Sequence, residues 1–522
     1  MYIRRLVDFV RSILDKIKDK RATWIITKRN RKFFRELAKK NLVFRCASYR
    51  LETLVTLPDN FDLEQHIAQY PPEQYFRSRL GFNKDKAYYF LGLITSIPAR
   101  NSDIITEDGY TPIHLPTIQG RKKGDQCIKD IISYKNYLIN TGVIICNGTY
   151  TVGKMSLGYK WSQQYSRVSV SARSFESRYT DAVVEYEQSG DIEAYPYLFH
   201  WYQQNRLTID EDAAKNHAFQ LFQDKMNDPA SWDFNNMGER KNPESQYRSS
   251  ILNISKIRNC RYEAHIDNNV HRLHSAFTGL GKKYRRFVTY DGKKLVGIDI
   301  KNSQPYIISL ILNRDFWSEN SILPLNINTL PANIQEAMRT PYELSTMLGG
   351  YFDNVSEEDF TAYKNLVSSG QFYEKFVDVV RDLGEEITRD EAKIMMFHIL
   401  YSPNVGQHKN WVINEMKKIF KGIFPKVAEL FKIIKRDFQN VDIEKQHNRL
   451  ARLLQSIESE IVLHKCCKRI WEEGNQQVPV FTIHDNIVTT EGNEDFVHRI
   501  MYEELERYIG ISPPLSEPET WE

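Results

Sequence analysis

The stretch TRDEAKIMMFHILYS, residues 388–402, carries two cations and two aromatic rings at a constant interval of four residues. These residues are Arg389, Lys393, Phe397 and Tyr401. Thr388 is a typical helix N-cap and Pro403 stands just beyond the pattern, so the stretch predicts a helix over residues 388–401. Because residues four apart lie one above another on an α-helix, the four side chains would form one stripe about 18 Å long.

A stripe that runs from positive charge to aromatic ring matches a nucleoside triphosphate, which is anionic at one end and flat at the other. Arg389 and Lys393 would bind the phosphates, and Phe397 and Tyr401 would pack against the sugar and base. An ordinary amphipathic helix that buries both rings would show the same letters. The stripe alone therefore leaves a nucleotide site and a core helix as alternatives.

Two aspartates bracket this stretch in the sequence. KKLVGIDI (293–300) predicts a strand that ends near Asp299, and VPVFTIHDNIVTTEG (478–492) predicts a β-hairpin with Asp485 at its tip. Transfer of a nucleotide uses two divalent cations, and Mg²⁺ prefers oxygen ligands while it keeps several waters. Two carboxylates from separate strands could therefore hold such a metal pair.

In this order the three segments resemble motifs A, B and C of the family A (Pol I-like) DNA polymerases and of the related single-subunit phage RNA polymerases. LVGIDIKNSQP resembles motif A, TRDEAKIMMFHILY resembles motif B, and FTIHDNIV resembles motif C. Weaker matches lie at NNVHRLHSAF (268–277), FYEKFVDVV (372–380), LQSIESEI (454–461) and ISPPLSEPETW (511–521). The resemblance covers residues 268–522 and indicates a divergent member of this superfamily.

The resemblance implies an α+β fold of the right-hand polymerase type, with a palm built on an antiparallel sheet, helical fingers and thumb, and a mixed N-terminal domain. It implies template-directed addition to a 3′-hydroxyl, with a primer/template nucleic acid and (d)NTPs as partners and two Mg²⁺ ions, replaceable by Mn²⁺, as cofactors. The catalytic residues it implies are Asp299, Asp485 and Lys393, of which the two aspartates would bind metal. The nucleotide-binding residues it implies are Arg389, Lys393, Phe397, Tyr401 and Gln304. The nucleic-acid-binding residues it implies are Arg272, Gln455 and His484.

The choice between deoxyribose and ribose depends on one position of the motif A match. Family A DNA polymerases have a Glu five residues after the aspartate, where it blocks the 2′-hydroxyl, and the phage RNA polymerases have a small residue there. This chain has Gln304, which keeps the bulk but is neutral and can donate as well as accept. Together with Phe397, which is common in the DNA-making branch, it favours a DNA polymerase that uses dNTPs. A single-subunit RNA polymerase or primase-like enzyme that uses NTPs is the alternative, and a non-catalytic nucleic-acid-binding palm protein is the second alternative.

The N-terminal half is distinguished by charge. Residues 1–40 hold 14 Lys and Arg against four Asp and Glu, whereas the whole chain has a net charge of +4. This predicts a basic helical arm that contacts the phosphates of nucleic acid or of lipid headgroups, with a solvated amphipathic helix as the alternative. Residues 41–240 would form an N-terminal domain of unknown role, before a polymerase region at 241–522, and residues 1–240 could also bind a protein partner. FDLE (61–64) has the letters of an exonuclease motif without further acidic partners, so Asp62 and Glu64 are interpreted as surface residues.

Bulk composition argues against membrane and secreted classes. The chain of 522 residues contains no apolar run of about 18 residues or more, so no membrane partner is expected. The first residues show no uninterrupted apolar region of the secretory type. The six cysteines include no CxxC pair and no zinc-like spacing, which predicts reduced thiols and a cytoplasmic location.

Overall fold

The computed structural model describes residues 51–119, 128–149, 156–177, 192–235, 239–339, 342–382, 384, 386–404, 411–436 and 448–521. The predicted basic arm at residues 1–40 lies outside these ranges. The chain divides into two compact units, Met1–Thr53 with Ser174–Thr180 and Leu54–Arg173 with Asp181–Glu522. In the first unit, the described residues are the ends of two strands. All other elements described below belong to the second unit. The predicted domain boundary at residue 240 stays a prediction.

Short strands and helices alternate over residues 51–177. The strands are β1 (Leu51–Pro58), β2 (Thr111–Pro112), β3 (Ile144–Cys146), β4 (Gly158–Trp161) and β5 (Val170–Ser177). The helices are α1 (Leu63–Gln69), α2 (Pro72–Tyr75), α3 (Lys84–Arg100), α4 (Leu115–Ile118) and α5 (Ile131–Asn140). Strand β4 lies between β2 and β3 in an antiparallel sheet, and β1 pairs with β5. Asp62 caps α1 by accepting from the backbone N–H groups of Glu64 and Gln65, which agrees with a surface role for this segment.

Three helices lead from this region into the rest of the unit: α6 (Pro196–Gln203), α7 (Glu211–Asn227) and α8 (Pro243–Arg258). The polar, turn-rich sequence of residues 225–250 suggests a linker or exposed loop, but among its described residues the end of α7 and the first half of α8 are helical. Asn242 starts α8 by accepting from the N–H of Ser245, and Pro243 occupies the first helical position, where its missing N–H is harmless. Buried Ile251, Leu252 and Ile254 then hold the helix in the core.

The central sheet is antiparallel, which confirms the α+β class and an antiparallel sheet at its centre. Its strands are β6 (Leu207–Ile209), β9 (Val288–Tyr290), β10 (Lys293–Asp299), β11 (Phe481–Ile483), β12 (Asn486–Thr490) and β13 (Glu519–Thr520). They are ordered β11-β12-β10-β9-β6, and β13 also pairs with β10. A separate antiparallel pair is formed by β7 (His265–Ile266) and β8 (Leu273–His274). The predicted strand over 293–300 and the predicted hairpin after residue 478 are both confirmed.

Helices make up most of the C-terminal half, and α19 (Glu494–Ile509) packs on β10 and β12. Before residue 383 they are α9 (Ser303–Ile311), α10 (Ala332–Arg339), α11 (Tyr342–Phe352), α12 (Glu358–Ser368) and α13 (Phe372–Asp382). After it they are α14 (Arg389–Tyr401), α15 (Trp411–Ile423), α16 (Pro425–Ile434), α17 (Asn448–Ile461), α18 (Lys468–Glu473) and α19 (Glu494–Ile509). A π-helical segment, Val462–Cys467, joins α17 to α18. None of the helices described has the length and apolarity that crossing a bilayer requires.

Helix α14 forms where the sequence predicts it, for local reasons at both ends. Thr388 and Glu391 make a capping box, in which each side chain accepts from the other residue's backbone N–H. At the other end, the buried side-chain nitrogen of Lys435 donates to the carbonyls of Ile399 and Ser402, which gives these C-terminal carbonyls a partner, although burial lowers the pKa of this lysine. The inner face buries Met396 and its neighbours against α13 and α17, so the cationic positions remain outside.

Gly297 in β10 lies where neighbouring side chains leave no room for a Cβ atom. A Cβ there would lie 2.9 Å from Oδ1 of Asn486 and 3.1 Å from the Trp521 ring. We therefore predict that Gly297→Ala destabilises the protein by about 1–3 kcal/mol, because the extra methyl overpacks a buried contact. Urea-induced unfolding measures the change.

Gly422 provides the matched control for this prediction. It lies in α15 with nothing within 4 Å of the added Cβ, so Gly422→Ala is expected to stabilise by about 0.5–1 kcal/mol. Equal effects of the two substitutions would contradict the role of Gly297.

Candidate active site

Asp299 is the last residue of β10 and its backbone is held from both sides. On one side it pairs with Asn486 of β12 in the antiparallel register. On the other side its N–H donates to Oγ of Ser516 at 2.9 Å, and its carbonyl accepts from the N–H of Ser516 at 2.8 Å. The carboxylate, half-buried, is thus presented from a strand end that has little freedom to move.

Asp485 occupies the two-residue turn between β11 and β12, as the sequence predicts. Ile483 and Asn486 form the last pair of the hairpin, and His484 adopts a left-handed backbone with φ 59°. Asn486 also pairs with Asp299 across β10 and β12. Asp485 therefore directly precedes the residue that lies opposite Asp299. The sheet register therefore brings the two aspartates together from positions far apart in the sequence.

Electrostatics show that the two carboxylates interact. Burial raises the pKa of Asp299, and the positive charge of Lys393 opposes this rise. The pKa of Asp485 is raised well above its usual range, first by burial and then by the negative charges of Glu458 and Asp299. The negative charge of Asp299 thus makes Asp485 harder to ionise, and a bound cation would offset this effect.

The aspartate pair fits Mg²⁺ by its donor chemistry. Two oxygen-donating carboxylates lie together in a partly dehydrated place, where like charges lack a full counter-charge. Mg²⁺ keeps several waters and is commonly held by one or two carboxylates, so a larger protein ligand set is unnecessary. In the part of the chain that the structure describes, no group of three or more His, Cys, Asp or Glu side chains could hold a metal ion. A site here would therefore rest on Asp299 and Asp485.

Glu458 is the residue that the sequence reasoning missed. It lies on α17, only 2% exposed, and accepts hydrogen bonds from Arg272 and Gln304 and, at 3.0 Å, from Oγ of Ser303. The available signal was its position three residues after Gln455, which puts both side chains on one face of a helix. An acid on the buried face of a helix needs cationic or hydrogen-bonding partners, and Glu458 has three.

Gln304 and Tyr401 are joined next to Glu458. The Tyr401 hydroxyl donates to Oε1 of Gln304 at 3.1 Å, while Nε2 of Gln304 donates to Glu458. The same hydroxyl also lies within hydrogen-bonding reach of Gln455. The Phe397 ring packs against the Tyr401 ring, with centroids 4.6 Å apart. The ring end of the stripe is thus connected to the residue predicted to select the sugar.

The two cations of the stripe, Lys393 and Arg389, lie in different environments. Lys393 is exposed, and its charge acts on Asp299. Arg389 instead donates to Glu374 of α13 at 2.7 Å and lies over the Tyr373 ring. That hydrogen bond raises the pKa of Arg389. Both partners of this ion pair are about half exposed, so the pair contributes little stability and can be exchanged for another anion.

The predicted nucleic-acid contacts lie around the same centre. The guanidinium of Arg272 pairs with Glu458, which leaves its Nε buried without a partner among the described residues. Partial burial lowers the pKa of His484 to about 4, and the charges of Arg272, His274 and Arg285 act in the same direction. The imidazole of His484 is therefore neutral at pH 7, so it could hydrogen bond to nucleic acid but would not attract phosphate as a cation.

Comparisons with known proteins leave the chain without a family assignment. No family model matches the sequence, and no curated protein matches it. Among solved structures, the chain is similar to the polymerase domain of Pol1 from M. smegmatis in a complex with DNA primer-template and dNTP. The alignment covers 82% of this chain and 81% of that one, at 9% identity and a TM-score of 0.30. A likeness this distant carries no argument about the site or its reaction.

The raised pKa of Asp485 predicts a measurable effect on stability. A carboxyl with a raised pKa holds its proton more strongly in the folded than in the unfolded protein, so stability falls as pH rises above the ordinary value of 3.8. Asp485→Asn removes this penalty, and we expect its unfolding temperature at pH 7.5 to exceed that of the wild type by a few degrees. The difference should shrink as the pH is lowered.

Mg²⁺ and a control substitution separate this effect from a general one. Because Mg²⁺ would bind the folded wild type, it should raise the wild-type unfolding temperature and leave that of Asp485→Asn nearly unchanged. Asp378, half exposed on α13, provides the control. Asp378→Asn should change neither the unfolding temperature without metal nor the increase that Mg²⁺ produces. A wild type that is more stable than Asp485→Asn at pH 7.5 without metal would show that the penalty is absent.

Proposed function

We propose that this chain is a template-directed nucleotidyltransferase, a DNA polymerase that extends a 3′-hydroxyl from dNTPs. The observation that carries the proposal is the sheet register, which brings Asp299 and Asp485 together, and the negative charge of Asp299 accordingly raises the pKa of Asp485. In this proposal the central sheet is the palm of a right-hand polymerase, and α13 with α14 belongs to its fingers. Lys393 completes the arrangement from α14.

Each of these side chains would have a specific role in nucleotide addition. The 3′-hydroxyl of the primer gives up its proton to solvent, its oxygen forms a bond to the α-phosphorus of the nucleotide, and the bond from that phosphorus to the pyrophosphate oxygen breaks. Asp299 and Asp485 would hold Mg²⁺, which when bound supplies positive charge to the attacking oxygen and to the triphosphate. The backbone hydrogen bonds between Asp299 and Ser516 hold the strand end from which this carboxylate extends, which helps to preserve the spacing that the reaction needs.

The cationic end of α14 would bind the triphosphate. Lys393 is exposed and makes no hydrogen bond or ion pair with the residues that the structure describes, so it can follow the charge that builds on the departing pyrophosphate. Such a contact stabilises the transition state more than the ground state. Arg389 would exchange Glu374 for phosphate oxygens, a change favoured because a triphosphate carries several negative charges and Glu374 only one.

The state of Gln304 favours deoxyribose. Its amide already donates to Glu458 and accepts from Tyr401, so it is held in one orientation. A fixed, engaged amide offers bulk to a 2′-hydroxyl and little additional hydrogen bonding. This is the physical reason to place dNTPs before NTPs as substrates.

Primer extension tests the proposed function. The full chain is given a primed template, Mg²⁺ and either dNTPs or NTPs, and we expect extension with dNTPs. Asp299→Asn and Asp485→Asn should each lower extension by several orders of magnitude while template binding survives, because a hard anionic ligand is lost and the shape is kept. Asp378→Asn is the control. Extension with NTPs alone would identify an RNA-synthesising enzyme, and extension with neither would favour a binding protein without catalysis.

Lys393 provides a second and sharper test. We predict that Lys393→Ala lowers the rate of incorporation by about 10²-fold, as loss of a charge-stabilising donor does in other enzymes, and weakens nucleotide affinity. Affinity for primed template should be preserved. Lys421→Ala, an exposed lysine of the neighbouring α15, is the matched control. A loss of template affinity with intact nucleotide affinity would mean that α14 grips the duplex instead.

A further inference from the structure

Lys301 is an exposed cation that the sequence motifs do not single out. It follows Asp299 by two residues, where β10 has ended and α9 has not yet begun. Its backbone N–H donates to the carbonyl of Pro514 at 2.7 Å, which fixes the position of its backbone. The ammonium makes no hydrogen bond or ion pair with any residue that the structure describes, so it is available to an external anion.

Gly370 provides the surface along which the Lys301 side chain lies. Gly370 comes shortly before α13 and has a φ of 70°, a backbone conformation that favours glycine. A Cβ atom at this position would lie 3.2 Å from Cδ of Lys301 and 3.3 Å from Cβ of Pro514. The lysine stem therefore lies against the face of Gly370 that carries no side chain, next to the segment that leads into α13.

Glu374, in the first turn of α13, interacts with two cations. It accepts a hydrogen bond from Nε of Arg389 at 2.7 Å, and the charge of Lys301 acts on it without a direct ion pair. Partial burial favours a higher pKa for Glu374, but the hydrogen bond from Arg389 and the charges of Arg389 and Lys301 outweigh it and lower the pKa. Glu374 is therefore ionised at neutral pH, and the place that it occupies favours an anion.

Tyr373 connects this group of charges with the aspartate centre. The guanidinium of Arg389 lies over the Tyr373 ring, with its carbon 5.5 Å from the ring centroid. Burial raises the pKa of Tyr373 to about 12, and the negative charge of Asp485 acts in the same direction. One side chain thus lies within electrostatic range of both Asp485 and Arg389, so an extended anion could reach from one to the other.

The order of the cations places Arg389 at the far end of a bound triphosphate. The charge of Lys393 acts on Asp299, and Arg389 lies one turn earlier on α14, about 6 Å away along the helix axis. In the proposed reaction the α-phosphorus lies at the aspartates, so the next phosphates would extend along α14. The terminal phosphate would then reach the place where Glu374 now pairs with Arg389.

We propose that Glu374 occupies the site of the terminal phosphate in the nucleotide-free protein, and that a nucleoside triphosphate displaces it and binds through that phosphate to Arg389 and Lys301. This inference rests on the proposed function. The exposed pair of Glu374 and Arg389 is weak and gives way to a phosphate, which carries more charge than a carboxylate. Lys301 thus favours triphosphates over the shorter diphosphates, and Glu374 weakens triphosphate binding because it competes for the same cations.

Isothermal titration of the full chain with dATP and with dADP, both in the presence of Mg²⁺, tests the inference. Lys301→Ala should weaken dATP binding about tenfold, because one charge-assisted contact is lost, and should leave dADP binding unchanged. Glu374→Gln keeps the shape and removes the charge, so it should strengthen dATP binding at least about threefold. Lys293→Ala, at an exposed lysine at the opposite end of β10, is the control and should change neither affinity.

The titration also separates this inference from the proposed function. If the dATP and dADP affinities change as expected in a chain that extends no primer, the triphosphate site is supported and the polymerase activity is contradicted. Equal effects of Lys301→Ala on dATP and dADP, including no effect on either, would overturn the inference whatever the result of primer extension. A wild type that binds no dATP, or a Glu374→Gln variant that binds it no more tightly than the wild type, would overturn it as well.

Discussion

The buried carboxylate of Glu458 is the interaction on which the arrangement of the site depends. A negative charge inside a protein requires partners, and removing one partner of a buried pair typically costs about 3–5 kcal/mol. Glu458 obtains its partners from two other elements, Arg272 beside β8 and Ser303 with Gln304 at the start of α9. Through Gln304 the network reaches Tyr401, so α14 is also oriented by it. One acid thereby sets the positions of four segments around the aspartates.

The same charge explains why the site is costly to keep. Glu458 and Asp299 both raise the pKa of Asp485, and burial raises it further. Ionised Asp485 therefore reduces the stability of the folded chain, and native proteins accept such conflicts mainly at functional sites. Elsewhere the chain follows ordinary rules, as in the capping box of α14. The contrast supports a functional interpretation of the aspartate pair.

Local features of this protein were predictable from the sequence because they depend on neighbours along the chain. The cap at Thr388, the strand that ends at Asp299 and the turn that holds Asp485 are all where periodicity and turn chemistry put them. The loop over residues 225–250 was overestimated, because tertiary burial of the apolar face of α8 outweighed a polar composition. The residue-by-residue roles in catalysis and binding stay predictions.

The sequence by itself determined which side chains carry charge and rings and on which helix face or strand end they stand, since spacing alone settles such local geometry. Only the tertiary structure decided which of them meet. Asp299 and Asp485 are neighbours because β10 and β12 pair in one register, and a slip of one residue would turn every side chain to the other face. Glu458, the partner of Arg272 and Gln304, was not recognisable beforehand, because an acid on a helix is usually solvated and only packing shows that this one is buried.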